Sequence, residues 1–143
     1  MQNRFSYPVD LSEDADGRFL ADFPDFAGTA TDGVDRAEAL VEAADCLEEA
    51  LARCIADNDD IPSPSPARGR PMASPGALIA AKAALYEALG ESGVTKSGLA
   101  RALDCDEAEV RRMLNPRHAT KIARLERALA YLGRRLVVTV EAA

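Results

Sequence analysis

Three aspartates near the start of the chain, Asp10, Asp22 and Asp25, are the residues best suited by type to hydrolysis, because clustered carboxylates can hold two Mg²⁺ ions for phosphodiester cleavage. Their setting argues against that use. Asp10 falls in the polar row of an alternating strand, Asp25 lies beyond Pro24, and no fixed spacing groups the three. Cys46, Cys54 and Cys105 lack CxxC spacing, and the single His118 cannot complete a metal site with them. The expectation is therefore no catalytic set, no metal and no cofactor, with the thiols buried in a reducing compartment.

Charge is the more informative chemistry. Residues 1–60 carry sixteen Asp and Glu against four Arg, whereas residues 61–143 carry thirteen Lys and Arg against eight acids. A uniformly acidic chain of net charge −7 would argue against nucleic acid, but segregation by half implies two domains facing partners of opposite sign. Between them, Ile61 to Gly76 contains five of the eight prolines and reads as an extended connector. The predicted division is 1–60, a linker at 61–76, and 77–143. The first ten residues lack a basic region followed by an apolar stretch, and no run is long enough to span a membrane, so a cytoplasmic protein is expected.

The acidic half reads as three strands and a helix. Phe5, Tyr7, Val9 and Leu11 alternate with polar residues and with Pro8, which suits an edge. A turn over residues 12–17 ends in Asp16-Gly17, Phe19, Ala21 and Phe23 resume the alternation, and a short strand at Thr29 to Thr31 precedes a turn at Asp32-Gly33. Asp35 with Glu38 three residues later places a helix start. Leu40, Ala44, Leu47, Leu51 and Cys54 are its predicted inward stripe. Glu38, Glu42, Asp45 and Glu49 form a single-sign stripe elsewhere on the same helix. Like charges at this spacing cost about 0.2–0.5 kcal/mol per pair, so the stripe does not serve local stability. It is either a solvated face or a docking surface for a basic partner.

The basic half reads as helices. Ser74-Pro75 opens the first, with Leu78, Ala81, Leu85 and Leu89 inward and Gly90 or Gly93 at its end. Thr95 caps a short helix burying Leu99, Ala100 and Leu103; Asp104-Cys105 forms a tight turn; Asp106 caps a second helix burying Val110. This resembles a helix-turn-helix of the phage-repressor type, whose second helix enters the major groove. The turn position usually held by Gly carries Asp104, which tolerates the left-handed conformation. Glu107 and Glu109 at the start of that helix could accept from cytosine but repel phosphate. Arg111 and Arg112 are the expected base readers, Lys96, Arg117, His118 and Lys121 the phosphate contacts, and Thr95, Glu107 and Ala108 complete the DNA-facing set. Thr120 is the predicted cap of a last helix ending at Gly133, and residues 134–141 read as a final strand. That strand has no sheet of its own, so Leu136, Val138 and Val140, with the Leu125, Leu129 and Leu132 helix face, are the expected interface of a homodimer or higher even oligomer.

Several stretches in order resemble the HicB antitoxins of the HicA-HicB type: Tyr7-Pro8-Val9, Phe23-Pro24-Asp25-Phe26, residues 29–33 (TATDG), Ala37-Glu38-Ala39-Leu40 and residues 61–65 (IPSPS). Downstream, the helix-turn-helix followed by residues 116–122 and 128–133 is similar to the helix-turn-helix branch of that family. The resemblance implies an α+β chain. Its first domain would be a partial, degenerate RNase H-like fold that inhibits a small basic ribonuclease toxin, and its second would repress the operon by binding pseudo-palindromic operator DNA. The toxin contacts would be Phe23, Pro24, Asp25 and Phe26 as an edge, with the Glu38, Glu42, Asp45 and Glu49 stripe. Two other readings compete: a repressor whose acidic domain binds another protein or a small ligand, and a metal-dependent nuclease using the three aspartates.

Overall fold

The computed structural model describes residues 3–142. The chain divides between Gly76 and Ala77 into two compact units. It has the expected α+β class, with strands and one long helix first and four helices after.

In the first unit the leading strand is split. β1 (Tyr7–Pro8) pairs antiparallel with β5 (Met72–Ala73), and β2 (Asp10–Glu13) pairs with β3 (Phe19–Asp22), which in turn pairs with β4 (Ala30–Gly33). The chain thus passes from one ladder to the other at Val9, whose N–H donates to the Pro71 carbonyl at 2.9 Å. This explains a departure from strict alternation, since Tyr7, Pro8 and Val9 are buried in succession. The hairpin turn is held by Asp14, whose Oδ1 accepts from the N–H groups of Asp16 and Arg18, with Gly17 at φ +80°.

Residues 61–76 are not an extended connector. Ile61 is buried, the Tyr7 hydroxyl donates to the Pro62 carbonyl at 2.7 Å, Ser65 donates to Asp25, and Arg70 pairs with Asp10 at 3.1 Å before β5 closes the sheet. Proline prevents helix here, but it leaves every carbonyl available as an acceptor, and the folded residues of the first unit supply the donors. The first unit therefore runs to Gly76 and contains sixteen acids against six arginines.

α1 (Arg36–Ala56) starts where expected, with Asp35 Oδ1 accepting from the Glu38 N–H at 2.8 Å. Its buried face is centred on Ala39, Ala43, Leu47, Ala50 and Leu51, while Leu40, Ala44 and Cys54 are only half-buried. The stripe is rotated because the small residues are needed where the helix meets β4. A Cβ on Gly33 would lie 2.4 Å from the Ala39 nitrogen. Gly33→Ala is accordingly expected to destabilise the first unit by about 3 kcal/mol, the upper end of overpacking costs, because the obstacle is backbone. Thermal melting checks this, and an unchanged midpoint would contradict the close approach.

In the second unit, α2 (Ala77–Ser92) begins two residues after Pro75 and runs through Gly90 to end before Gly93, at φ +75°. α3 (Lys96–Ala102) and α4 (Glu107–Leu114) form the expected helix pair, followed by α5 (Ile122–Tyr131). Leu85, Leu99, Val110, Met113, Leu125 and Leu129 make one core among these helices. Leu125 and Leu129 thus face inward within one chain and are not available to a second copy. Residues 134–142 join no strand ladder among the described residues. Gly133 at φ +79°, the Arg134 N–H donating to the Leu129 carbonyl, and the Arg134–Glu91 ion pair anchor the tail's start, and Leu136 packs on the core.

Candidate nucleic-acid interface and acidic docking face

The α3–turn–α4 pair is built by local capping. Thr95 Oγ1 accepts from the Gly98 N–H at 2.9 Å and Asp106 Oδ1 from the Glu109 N–H at 2.8 Å, satisfying orphan donors at the two helix starts. Between them Asp104 takes φ +54°, and the Cys105 N–H closes on the Ala100 carbonyl at 3.0 Å. With the turn set, Leu99, Ala100 and Val110 are buried and Leu103 and Cys105 pack around them.

On the outer surface of this pair the charges are interleaved. Glu107 accepts from Ser97 Oγ at 3.0 Å and pairs with Arg111 at 3.2 Å. Glu109 receives both Arg112 and Arg124, the latter at 2.9 Å. Hydrogen bonding from Arg112 holds the Glu109 carboxyl below the usual carboxylate range, with Arg124 acting in the same direction. Arg111 and Arg112 are thus each paired with a glutamate of their own helix, Arg111 exposed and Arg112 half-buried, while Lys96, His118 and Lys121 are exposed and Ala108 is half-exposed. Arg117 is exposed on the loop that follows α4, its N–H donating to Asn115 Oδ1.

Thr120 does not cap α5. The N-cap is Lys121, which makes no side-chain capping bond, and Thr120 Oγ1 instead accepts from Lys82 Nζ at 2.7 Å. Lys82 was not among the expected functional residues. The signal was present, because Lys82 occupies an inward position of the Leu78, Leu85, Leu89 stripe, where an ammonium has no reason to be without acceptors. The Glu109–Arg112–Arg124 cluster was also missed, since Arg124 lies on another helix.

On the first unit, Glu38, Glu42, Asp45 and Glu49 are exposed. Val41 stands in this stripe at 63% exposure, and Val34 just before the helix at 58%. Phe23 and Phe26 present no apolar surface: both are buried, Phe26 meets Tyr7 edge-on at 4.8 Å, and the Phe23 to Thr29 segment is closed by its own backbone bonds. Pro24 is exposed, and Asp25 is engaged by Ser65. An apolar residue on the polar face of α1 was the legible sign of Val41.

The three aspartates are only partly assembled. Asp10 and Asp22 face one another across the β2–β3 ladder, but Asp10 is neutralised by Arg70 and Asp25 serves as a loop anchor. Among the described residues no group of three or more His, Cys, Asp or Glu is placed to hold a metal ion, and no helix is long and apolar enough to cross a membrane. All three cysteines are half-buried free thiols, and burial pushes those of Cys46 and Cys54 up, away from thiolate reactivity.

Comparison with known proteins follows the same lines. The family described as the HicB-like antitoxin of bacterial toxin-antitoxin systems matches residues 6–84, a span that includes all of the first unit's elements and the start of α2. Antitoxin HicB of Pseudomonas fluorescens is 36% identical over 143 residues, covering 97% of this chain and 96% of its own. Antitoxin HicB of Escherichia coli K12 is 34% identical, covering 91% and 95%, and antitoxin HicB 1 of Photorhabdus laumondii is 32% identical, covering 94% and 86%. With the family matched over residues 6–84 and similarity to its members over nearly the whole chain, the chain belongs to the HicB-like antitoxin family of bacterial toxin-antitoxin systems.

Proposed function

We propose that this antitoxin binds and inhibits a small basic ribonuclease toxin of the HicA type through the exposed acidic face of α1, and represses its own operon by binding operator DNA through α3, α4 and the loop before α5. The observation that carries this reading is the sorting of charge onto separately folded units: six arginines oppose sixteen acids up to Gly76, whereas eleven Lys and Arg oppose eight acids from Ala77 onward. Overall net charge of −7 would keep DNA away from a uniformly charged protein; a basic unit carrying a helix-turn-helix supplies a local footprint.

On the toxin side, Glu38, Glu42, Asp45 and Glu49 supply steering, and Val34 and Val41 replace Phe23 and Phe26 as the apolar anchors. The buried Phe23 and Phe26 hold the Pro24-Asp25 corner in place. On the DNA side, Arg111 points to base readout, with Glu107 beside it as a candidate acceptor for cytosine. Arg112 serves chiefly to hold Glu109, and Lys96, Arg117, His118 and Lys121 are the phosphate contacts. The unpartnered valines of the tail are the proposed homodimer contact.

Gel-shift titration of the full chain on duplex from its own promoter, with and without the product of the adjacent reading frame, tests both halves of the reading. Lys121→Ala is expected to weaken binding on every sequence alike and to lower the salt slope by about one unit. Arg111→Ala is expected to cost about 1–3 kcal/mol on the preferred site while leaving nonspecific binding nearly intact. Parent-like behaviour of both variants would mean that the DNA-binding surface lies elsewhere.

A further inference from the structure

Lys82 is a fully buried cation that the toxin-binding and DNA-contact assignments do not use. It is 0% exposed within α2, yet no carboxylate is among its hydrogen-bond partners. Its Nζ donates instead to the backbone carbonyls of Arg112 at 3.0 Å, Asn115 at 2.8 Å and His118 at 2.7 Å, and to Thr120 Oγ1 at 2.7 Å. An ammonium has three hydrogens, so these acceptors share them. Arg112 and Asn115 lie at the C-terminal end of α4, where carbonyls carry the negative end of the dipole; each also accepts a backbone N–H three residues on, from Asn115 at 3.2 Å and from His118 at 3.1 Å. His118 and Thr120 belong to the connection into α5.

The arrangement is a costly way to build a core. Removing an ammonium from water is unfavourable, and burial pushes Lys82 below its ordinary value. A methionine would fill the space without that cost but would take from the His118 carbonyl the donor that Lys82 supplies, and would leave those of Arg112 and Asn115 with the local N–H groups of Asn115 at 3.2 Å and His118 at 3.1 Å. What the lysine provides is geometry: one point tied to both ends of the Asn115 to Thr120 connection, which makes few bonds of its own beyond those to Asn115.

We propose that Lys82 is a positioning residue for DNA binding, gathering the end of α4 and the start of α5 so that the backbone bearing Arg117, His118 and Lys121 meets the same duplex as α4. The role rests on the DNA-binding reading given above. Lys82 itself touches no DNA; it acts through the loop that it holds.

The test uses the full chain and a mixed-sequence duplex of about 30 base pairs, because phosphate contacts do not require the operator. Lys82→Met is expected to reduce affinity by about tenfold or more at about 100 mM salt and to lower the salt slope by about two units, as contacts from the loop are lost. In the DNA-free protein, the Arg117 and His118 amides are expected to exchange about tenfold faster or more. Thr120→Val, which removes one acceptor from a half-buried side chain, is expected to lower the slope by about one unit. It decides the matter if Lys82→Met does not fold. A parent that binds while the folded variants keep its slope and its exchange rates overturns the positioning role alone. A parent that binds no duplex overturns the DNA-binding reading and this proposal with it.

Discussion

Reversing Glu42, Asp45 and Glu49 to Lys is expected to slow association with a basic ribonuclease toxin by about 10- to 1,000-fold at low ionic strength, and to abolish protection of cells that co-express it. The three substitutions change the charge of the first unit by six without touching its core. All three side chains are exposed, and the packing of α1 on the sheet is carried by Ala39, Ala43, Leu47 and Leu51. The Asp35 cap and Glu38 at the helix start are left in place, so the stabilising interaction with the N-terminal end persists. Only the 38–42 pair turns from repulsive to attractive, while 42–45 and 45–49 stay like-charged as Lys–Lys pairs, so each stripe term is worth about 0.2–0.5 kcal/mol and the fold is expected to hold. A loss of binding with an unchanged melting midpoint is then a loss of docking and not of folding. The measurement is the association rate at two salt concentrations, beside a thermal melt. Screening at high salt narrows the gap between variant and parent. An association rate equal to the parent's at low salt would leave the stripe as a solvated face. Val41→Asp gives an independent reading: it adds negative charge, so steering survives while the dissociation rate rises, provided that Val41 is the anchor.

Deleting residues 134–143 is expected to yield a monomer whose operator affinity is lower by about 100-fold or more, with toxin binding unchanged. One small helix-turn-helix module buries too little surface for tight specific binding, and two copies read half-sites about 10 base pairs apart or a multiple of that. Val137, Val138 and Val140 are exposed at 65%, 66% and 95%, a row of β-branched residues with no ladder in its own chain among the described residues. Such a row pairs with a second copy more readily than it remains in water. Leu136 belongs to the core of the second unit, so the deletion also removes one packing contact. Val138→Asp with Val140→Asp separates the two effects, because it leaves Leu136 in place. Light scattering of both proteins decides the point. Dimers of undiminished operator affinity would remove the tail from the interface, and the exposed Ile122 and Tyr131 of α5 would then be the next surface to test.

Local chemistry was the legible part of this protein. Asp35, Thr95 and Asp106 could be identified as helix caps because each side chain bonds a backbone N–H three residues away. Asp104 could be placed in the left-handed turn because short polar side chains tolerate that conformation. The acidic stripe of α1 and the basic character of the second unit are properties of composition and helical period.

What the tertiary structure alone decided involves partners far apart in the chain. Residues 61–76 look like a connector by composition, yet Met72 and Ala73 complete a ladder with Tyr7 and Pro8, and Arg70 reaches Asp10. Phe23 and Phe26 resemble an exposed edge in sequence, but both are buried, Phe26 edge-on against Tyr7 and against Phe23. Leu125 and Leu129 form an apolar face that sequence cannot assign to its own core or to a second copy; packing against Leu85 and Val110 settles it. Thr120 has the type of an N-cap, and only the arrival of Lys82 from another helix turns its hydroxyl elsewhere. Sequence determined which helices start where and what charge each surface carries, because those interactions close within one turn of the chain. Which apolar and polar groups are left for partners was decided by the fold, because burial depends on segments that meet only when the whole unit closes.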